Sequence, residues 1–310
     1  MPNRFYRDPD FETLQLHAGQ DPDGATNARA VPIYHTASYM FNSVEHAANL
    51  CALREQGHIY SRVGNPTTGV FEKRMAALEG GVAAVATSSG LSATALTVQA
   101  LASSGDNIVT ASRLYGGAYN QFKVTFKKFG IDVIFVPTMD VVDFEPAINE
   151  KTKALYVETI ANSDNTLADI GAFAKATHKY GIPLIVDNTF GMGGYIVKPI
   201  SLGADIIVHS ATKWIGGHGT IIAGVIIDSG NFDWRTSNKF PSITGPSSAY
   251  GGISLGEVFH PYLDGHPRVN QVTYLGLPSH PSHQLALKTL RANTFGGILT
   301  FRLEGGARAK

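Results

Sequence analysis

The sequence predicts an α/β protein built on a mostly parallel β-sheet covered by helices. Three observations carry that prediction. Short apolar runs recur along the middle of the chain without polar alternation, and amphipathic stretches separate them. A length of 310 residues, with 33 glycines and 44% hydrophobic content, is enough to bury a large core. Strands covered on both faces read as continuous apolar runs, and their alternation with helices indicates parallel pairing.

The elements follow in chain order. Residues 45–55 look helical and hold the single cysteine, Cys51, expected there as a buried, inert thiol. Residues 82–87 read as a buried strand and 93–101 as the helix after it. Residues 107–110 make the next strand and 119–129 the next helix. The runs at 133–136 and 154–158 are strands on either side of a helix near 142–150. A helix at 170–180 precedes the strand 184–186, and the strands 206–208 and 223–227 complete the series. In such sheets ligands bind outside the carboxyl ends of the strands. Residues 87–90, 158–159, 187–188 and 209–210 all lie at such ends and are expected to meet at one crevice.

Length suggests two domains of roughly 100–200 residues each. Lys plus Arg equals Asp plus Glu at 25 each, so no net field draws nucleic acid or an anionic membrane to the chain. One cysteine forms no internal disulfide and suits a reducing compartment. The first eight residues lack the apolar core of a secretory leader, and no apolar run reaches membrane-spanning length. A cytoplasmic protein is the expectation. His260, His266, His280 and His283 lack the convergent spacing of metal ligands and read as loop residues, so no metal is expected.

The chemistry turns on Lys213, which follows the apolar stretch Asp205-Ile206-Ile207-Val208 and the hydroxyls of Ser210 and Thr212. An amine there can form an imine while the hydroxyls hold an anion. Asp187 closes another buried strand; its carboxylate can pair with a protonated ring nitrogen or simply cap the following turn. Ser88-Ser89-Gly90-Leu91 lies between a strand and a helix. Glycine permits the tight turn, and the helix start offers free N–H groups at its positive dipole end. Tyr60 and Arg62 bring a phenol and a guanidinium suited to phosphate, or serve as a packed aromatic and a solvated charge. Tyr115, in a glycine-rich loop, can stack on a flat ring or pack locally. An amine, a carboxylate and phosphate-binding hydroxyls are together what pyridoxal 5′-phosphate requires from a protein.

Set in order along the chain, these residues resemble the cysteine/methionine-metabolism family of pyridoxal-phosphate enzymes, of fold type I. The likeness runs from about Thr13 to Phe259 and resumes from about Val269 to Gly306. It rests on Gln15-Leu16-His17-Ala18-Gly19-Gln20, Ala30-Val31-Pro32-Ile33-Tyr34, Tyr60-Ser61-Arg62, Asn65-Pro66-Thr67 and Ala77-Leu78-Glu79-Gly80-Gly81. It continues through Leu114-Tyr115-Gly116-Gly117, Val186-Asp187-Asn188-Thr189-Phe190 and His209-Ser210-Ala211-Thr212-Lys213. Phe41-Asn42-Ser43, Glu45-His46-Ala47-Ala48-Asn49-Leu50 and the turn Gly216-Gly217-His218-Gly219-Thr220 are similar to the O-acetylhomoserine sulfhydrylase branch.

The resemblance implies a pyridoxal-phosphate-dependent γ-replacement, converting O-acetyl-L-homoserine and sulfide into L-homocysteine and acetate. It implies Lys213 as the residue that bonds the cofactor and then carries protons, with its pKa lowered by burial beside the cationic cofactor. Asp187 is implied at the pyridine nitrogen, with Thr189 among the cofactor contacts, Tyr115 on the ring face and Asn162 near the ring hydroxyl. Ser89, Gly90, Leu91, Ser210 and Thr212 are implied as phosphate ligands. Tyr60 and Arg62 are implied to reach the phosphate of a neighbouring subunit, in a homotetramer built from dimers. The matching layout is an N-terminal arm at 1–60 contacting that neighbour, a cofactor-binding large domain at 61–261, and a remnant of a small C-terminal domain at 262–310.

Some residues depart from the family pattern. Ser163 follows Asn162 where the family usually has proline, so a looser loop is expected. Leu91-Ser92 replaces Gln/Met-Ala and keeps the backbone donors. Set against the resemblance, the family's long inter-domain helical segment is expected to be missing at Pro261-Tyr262, and no counterpart is expected for its terminal portion, with an arginine for the substrate carboxylate. Two other readings therefore stay open: a truncated cofactor-binding paralogue with little or no activity, and a cystathionine γ-synthase or γ-lyase. The turn at 216–220 argues against the second, whose branches usually carry Asn-Gly-His-Ser/Thr-Asp there.

Overall fold

The structure, a computed structural model, describes residues 10–258, 269–273 and 300–303. It divides into two compact units, Met1–Pro241 and Ser242–Lys310. At the centre of the first lies a seven-stranded sheet: β1 (Ala83–Thr87), β2 (Asn107–Ala111), β3 (Asp132–Val136), β4 (Thr152–Glu158), β5 (Leu184–Asp187), β6 (Ile206–His209) and β7 (Gly224–Asp228). The spatial order is β1-β7-β6-β5-β4-β2-β3. Strands β3, β2, β4, β5 and β6 pair in parallel, while β7 runs antiparallel to both β6 and β1. The predicted mostly parallel sheet is therefore present.

Seven helices of this unit bear on the argument: α1 (Phe11–His17), α2 (Val44–Cys51), α3 (Pro66–Glu79), α4 (Gly90–Leu101), α5 (Gly116–Asn120), α6 (Phe126–Lys128) and α7 (Ile170–Lys179). Alternate strand residues point to opposite faces. One face carries Val109, Leu155, Val157, Leu184, Val186 and Ile207, packed with Met75 and Leu78 of α3 and Phe173 of α7. The other carries Tyr156, whose ring meets Phe122 edge-on at 4.9 Å. Local signals fix the helix ends. Asn65 caps α3 through the Thr67 N–H at 2.9 Å, Pro66 opens it, and Gly80 closes it at φ 82°.

Four expectations change. Residues 142–150 form two 3₁₀ turns, Val141–Asp143 and Glu145–Ala147, rather than a helix, because Pro146 lacks the N–H that would continue one. The 116–128 rod contains a π-turn at Gln121–Thr125, which keeps Phe122 and Phe126 both buried. Strand β1 lies at the sheet edge, with Val82 before it and Val85 within it exposed rather than buried. Cys51 is exposed, since α2 turns Leu50 inward instead.

In the second unit, β8 (Pro246–Ser247) pairs antiparallel with β9 (Ile253–Ser254), and β10 (Val269–Thr273) with β11 (Thr300–Leu303). The junction expected at Pro261-Tyr262 and the four histidines 260, 266, 280 and 283 lie outside the described residues. Among the described residues, no helix is long and apolar enough to cross a membrane.

Candidate active site

The carboxyl ends of β1, β4, β5 and β6 open onto one cavity of about 380 Å³, within the range of small-ligand sites. Its wall includes Ser89, Gly90, Leu91, Tyr115, Asn162, Asp187, Thr189, Ser210, Thr212 and Lys213. Ten of the twelve residues singled out in the sequence thus converge there. Tyr60 and Arg62 do not line it; they lie on the surface, with the Arg62 guanidinium 5.4 Å from the Tyr60 ring centre.

On one wall the start of α4 faces the end of β6. Ser89 caps the helix, its Oγ accepting the Ser92 N–H at 3.1 Å, so the first N–H groups of α4 have no intrahelical carbonyl. A Cβ on Gly90 would stand 2.6 Å from Ser210 Cβ; only glycine brings the helix start this close to Ser210. Ser210 donates its backbone N–H to Thr189 Oγ1 at 2.8 Å. Thr212 lines the cavity and is also bonded within its own turn. Its hydroxyl turns to the Ala223 carbonyl at 3.2 Å and accepts the Ala223 N–H at 3.1 Å, so it pins the turn carrying Lys213.

Asp187 is held on both oxygens. Thr189 donates its N–H and hydroxyl to Oδ1 at 2.9 and 2.6 Å, and Tyr156 donates its hydroxyl to Oδ2 at 3.0 Å. Burial, with Asp187 and Glu158 nearby, pushes the Tyr156 hydroxyl well above its ordinary value, so it stays a donor. Asp187 thus closes the turn at Thr189 and also lines the cavity. Lys213 is exposed to the cavity; the chain alone does not supply the burial expected for it.

Tyr115 sits just before α5 and packs over Gly117, where a Cβ would lie 2.5 Å from its ring. The Asn162 loop, with Ser163 in it, is crossed by several bonds. Ala161 accepts the Asn165 N–H at 2.9 Å and donates to Thr166 O at 2.9 Å, and Arg113 reaches Asp164 and Thr166 at 2.5 and 3.0 Å. These bonds restrain the loop where proline would otherwise stiffen it.

Glu158, expected at the crevice as a strand end but given no role there, takes a defined place in the site. It is 5% exposed, lines the cavity, and lies opposite Asp187 in the parallel register of β4 and β5. Burial, then repulsion from Asp187, raises its carboxyl from 4.5 to about 7, against the lowering effect of two backbone N–H bonds. The available signal was its place at a strand end one strand from Asp187. Phe190, which closes the motif at 186–190, and Ile222, which no motif marks, add apolar wall.

Fold and cavity together define an α/β enzyme class in which an amine, a hydrogen-bonded carboxylate and a helix N-terminus face one small-molecule crevice. The Cys/Met metabolism PLP-dependent enzyme family matches residues 12–252 and 257–310, and the chain belongs to that family. It is 48% identical to the homocysteine synthase of Schizosaccharomyces pombe, covering 96% of this chain and 81% of the relative. It is 44% identical to the O-acetyl-L-homoserine sulfhydrylase 1 of Thermus thermophilus, covering 96% and 83%. A crystal structure of a Campylobacter jejuni putative O-acetylhomoserine (thiol)-lyase with N′-pyridoxyl-lysine-5′-monophosphate superposes with TM-score 0.78 at 28% identity, covering 94% of this chain and 85% of that one. The alignment to the S. pombe protein spans 347 positions, more than the 310 residues here, so the relative holds residues with no counterpart in this chain. The family match breaks between Gly252 and Glu257, a few residues before the junction expected from sequence.

The donor set fits the family's cofactor. The start of α4 beside Ser210 offers N–H groups to an anion, the Asp187 carboxylate is held by Thr189 and Tyr156 at the cavity wall, and Gly90 lets helix and strand end approach with no side chain between them.

Proposed function

We propose that the chain catalyses γ-replacement on O-acetyl-L-homoserine with sulfide, giving L-homocysteine and acetate. The observation that carries this reading is the convergence of Lys213, Asp187 and the start of α4 on one cavity, in a chain related to named sulfhydrylases. Bound pyridoxal phosphate supplies an electron sink for carbanions beside the substrate nitrogen. Lys213 Nζ attaches the cofactor and afterwards carries protons within the cavity. Asp187, oriented by Thr189 and Tyr156, holds the positive charge of the pyridine nitrogen. The N–H groups of Gly90 and Leu91, with Ser89 and Ser210, hold phosphate; Thr212 contributes by fixing the turn. Tyr115 covers a ring face and Asn162 stands by the ring hydroxyl.

The same reading assigns Tyr60 and Arg62 to the site of a neighbouring subunit in a homotetramer of dimers, with residues 1–60 as the contacting arm. Ile33, Met40 and Val44, all highly exposed within that arm, supply apolar surface that such a contact would cover. A cytoplasmic setting suits a single, exposed cysteine.

The test is direct. The purified chain is given pyridoxal phosphate, its visible band is recorded, borohydride is added, and the labelled peptide is mapped. A label on Lys213 and homocysteine formed from O-acetylhomoserine and sulfide are expected. No band in folded protein overturns the cofactor assignment. A labelled Lys213 without homocysteine favours the second reading, a cofactor-binding paralogue of little activity, which the residues missing relative to the S. pombe protein support.

A further inference from the structure

Glu158 joins two loops that otherwise share no element. Its Oε1 accepts the Tyr115 N–H at 2.6 Å and its Oε2 accepts the Asn162 N–H at 2.8 Å. Tyr115 belongs to the loop after β2, and Asn162 to the loop after β4. A carboxylate placed beside Asp187 and removed from water is costly, and a neutral side chain of similar size would avoid that cost. What an amide cannot do is accept on both tips. Both acceptors here are used, and both serve loop backbone at the cavity wall.

We propose that Glu158 is a positioning residue: its two oxygens set the placement of Tyr115 relative to Asn162 across the cavity. The cofactor consequence rests on the functional reading above, but the clamp is a property of the chain itself. A second tie, Arg113 to Asp164 and Thr166, links the same loops at the exposed rim, so Glu158 governs the inner end. The groups around Glu158 are Asp187 from β5, the Tyr156 hydroxyl from its own strand, and the Tyr115 phenol and Lys213 amine on the same cavity wall. Ionised, Glu158 offers acceptors at both tips. Protonated, one tip carries a hydrogen and becomes a weaker acceptor for its loop N–H, so the clamp tightens as pH rises through about 7.

The experiment is amide hydrogen exchange on the full chain without cofactor, in wild type and Glu158→Gln, corrected for intrinsic rates. Peptides holding Tyr115 and Asn162 should exchange about fivefold faster or more in the variant, with strand peptides unchanged. In wild type their protection should step up through about pH 7, and the step should vanish in Glu158→Gln. With pyridoxal phosphate added, the variant's visible circular dichroism should weaken, reporting a displaced ring environment. Unchanged protection of both loops in a folded Glu158→Gln protein overturns the proposal. If that variant does not fold, a wild type without the pH step overturns it. Failure of wild type to take up pyridoxal phosphate strikes the functional reading alone, since the exchange result is obtained without cofactor.

Discussion

His209 Nε2 lies 2.6 Å from Glu79 Oε1, with both side chains fully buried and 130 positions apart in sequence. Asn188 donates to the same oxygen at 2.9 Å and accepts from Thr159 at 2.7 Å. The group ties the end of α3 to the residues directly beside Asp187 and Ser210, so the core bonds support the cavity wall. Glu79→Ala leaves two buried donors without an acceptor and should lower unfolding free energy by about 3–5 kcal/mol. Urea unfolding measures it, with the midpoint moving and the slope unchanged. A loss no greater than that of exposed Glu150→Ala would show that the network contributes nothing.

How far the sequence discloses this site depends on what each residue does. Lys213, Asp187 and the Ser89-Gly90 turn are legible because their residue types and strand-end positions carry the chemistry. Glu158 and Glu79 act through partners brought by other elements, 43 and 109 residues away for Tyr115 and Asn188. No local pattern marks such pairs. The same distinction applies to the fold. Apolar runs reveal buried strands, but not that β1 lies at an edge with Val85 outward. The 142–150 segment has helical composition, yet Pro146 limits it to single turns.

Glu158 should impose a distinctive pH dependence on stability. Its folded value is about 7 against the ordinary 4.5, so between these limits the folded chain holds a proton that the unfolded chain releases. Stability from this group is full below the lower value and is lost as pH rises through the upper one, by about 3 kcal/mol. Asp164 and Asp233 are lowered and act in the opposite sense, so the comparison must be with Glu158→Gln. The stability difference between wild type and variant should fall across that window in chemical-denaturation series. A difference flat from pH 4 to 8 refutes the assignment.

Thr189 spans the ends of β5 and β6 with a single hydroxyl, donating to Asp187 and accepting from Ser210. Thr189→Val keeps the shape but leaves the Ser210 N–H without that partner, at a cost of about 1–3 kcal/mol. Pyridoxal phosphate affinity should fall about tenfold, because Asp187 and Ser210 lose their common reference point. Thr189→Ser retains the hydroxyl and should recover most of the affinity. Equal binding by the valine and serine variants in a spectroscopic titration would assign the hydroxyl no part in the site.

Two glycines should respond in opposite ways to the same added methyl. At Gly224, the first residue of β7, a Cβ would overlap the Ser89 carbonyl. That carbonyl is already fixed by the Thr87 hydroxyl at 3.0 Å and the Ala93 N–H at 3.0 Å, so the start of α4 must move instead. Gly224→Ala should cost about 1–3 kcal/mol and also displace Gly90 from Ser210, weakening cofactor uptake. Gly69, inside α3, has nothing within 4 Å of its Cβ position. Gly69→Ala should therefore stabilise the chain by about 0.5–1 kcal/mol through helix propensity, with uptake unchanged. Thermal unfolding and a pyridoxal phosphate titration on both variants separate the effects. A Gly224→Ala protein that binds like wild type would mean that the close approach of β7 to Ser89 is packing alone, without bearing on the cavity.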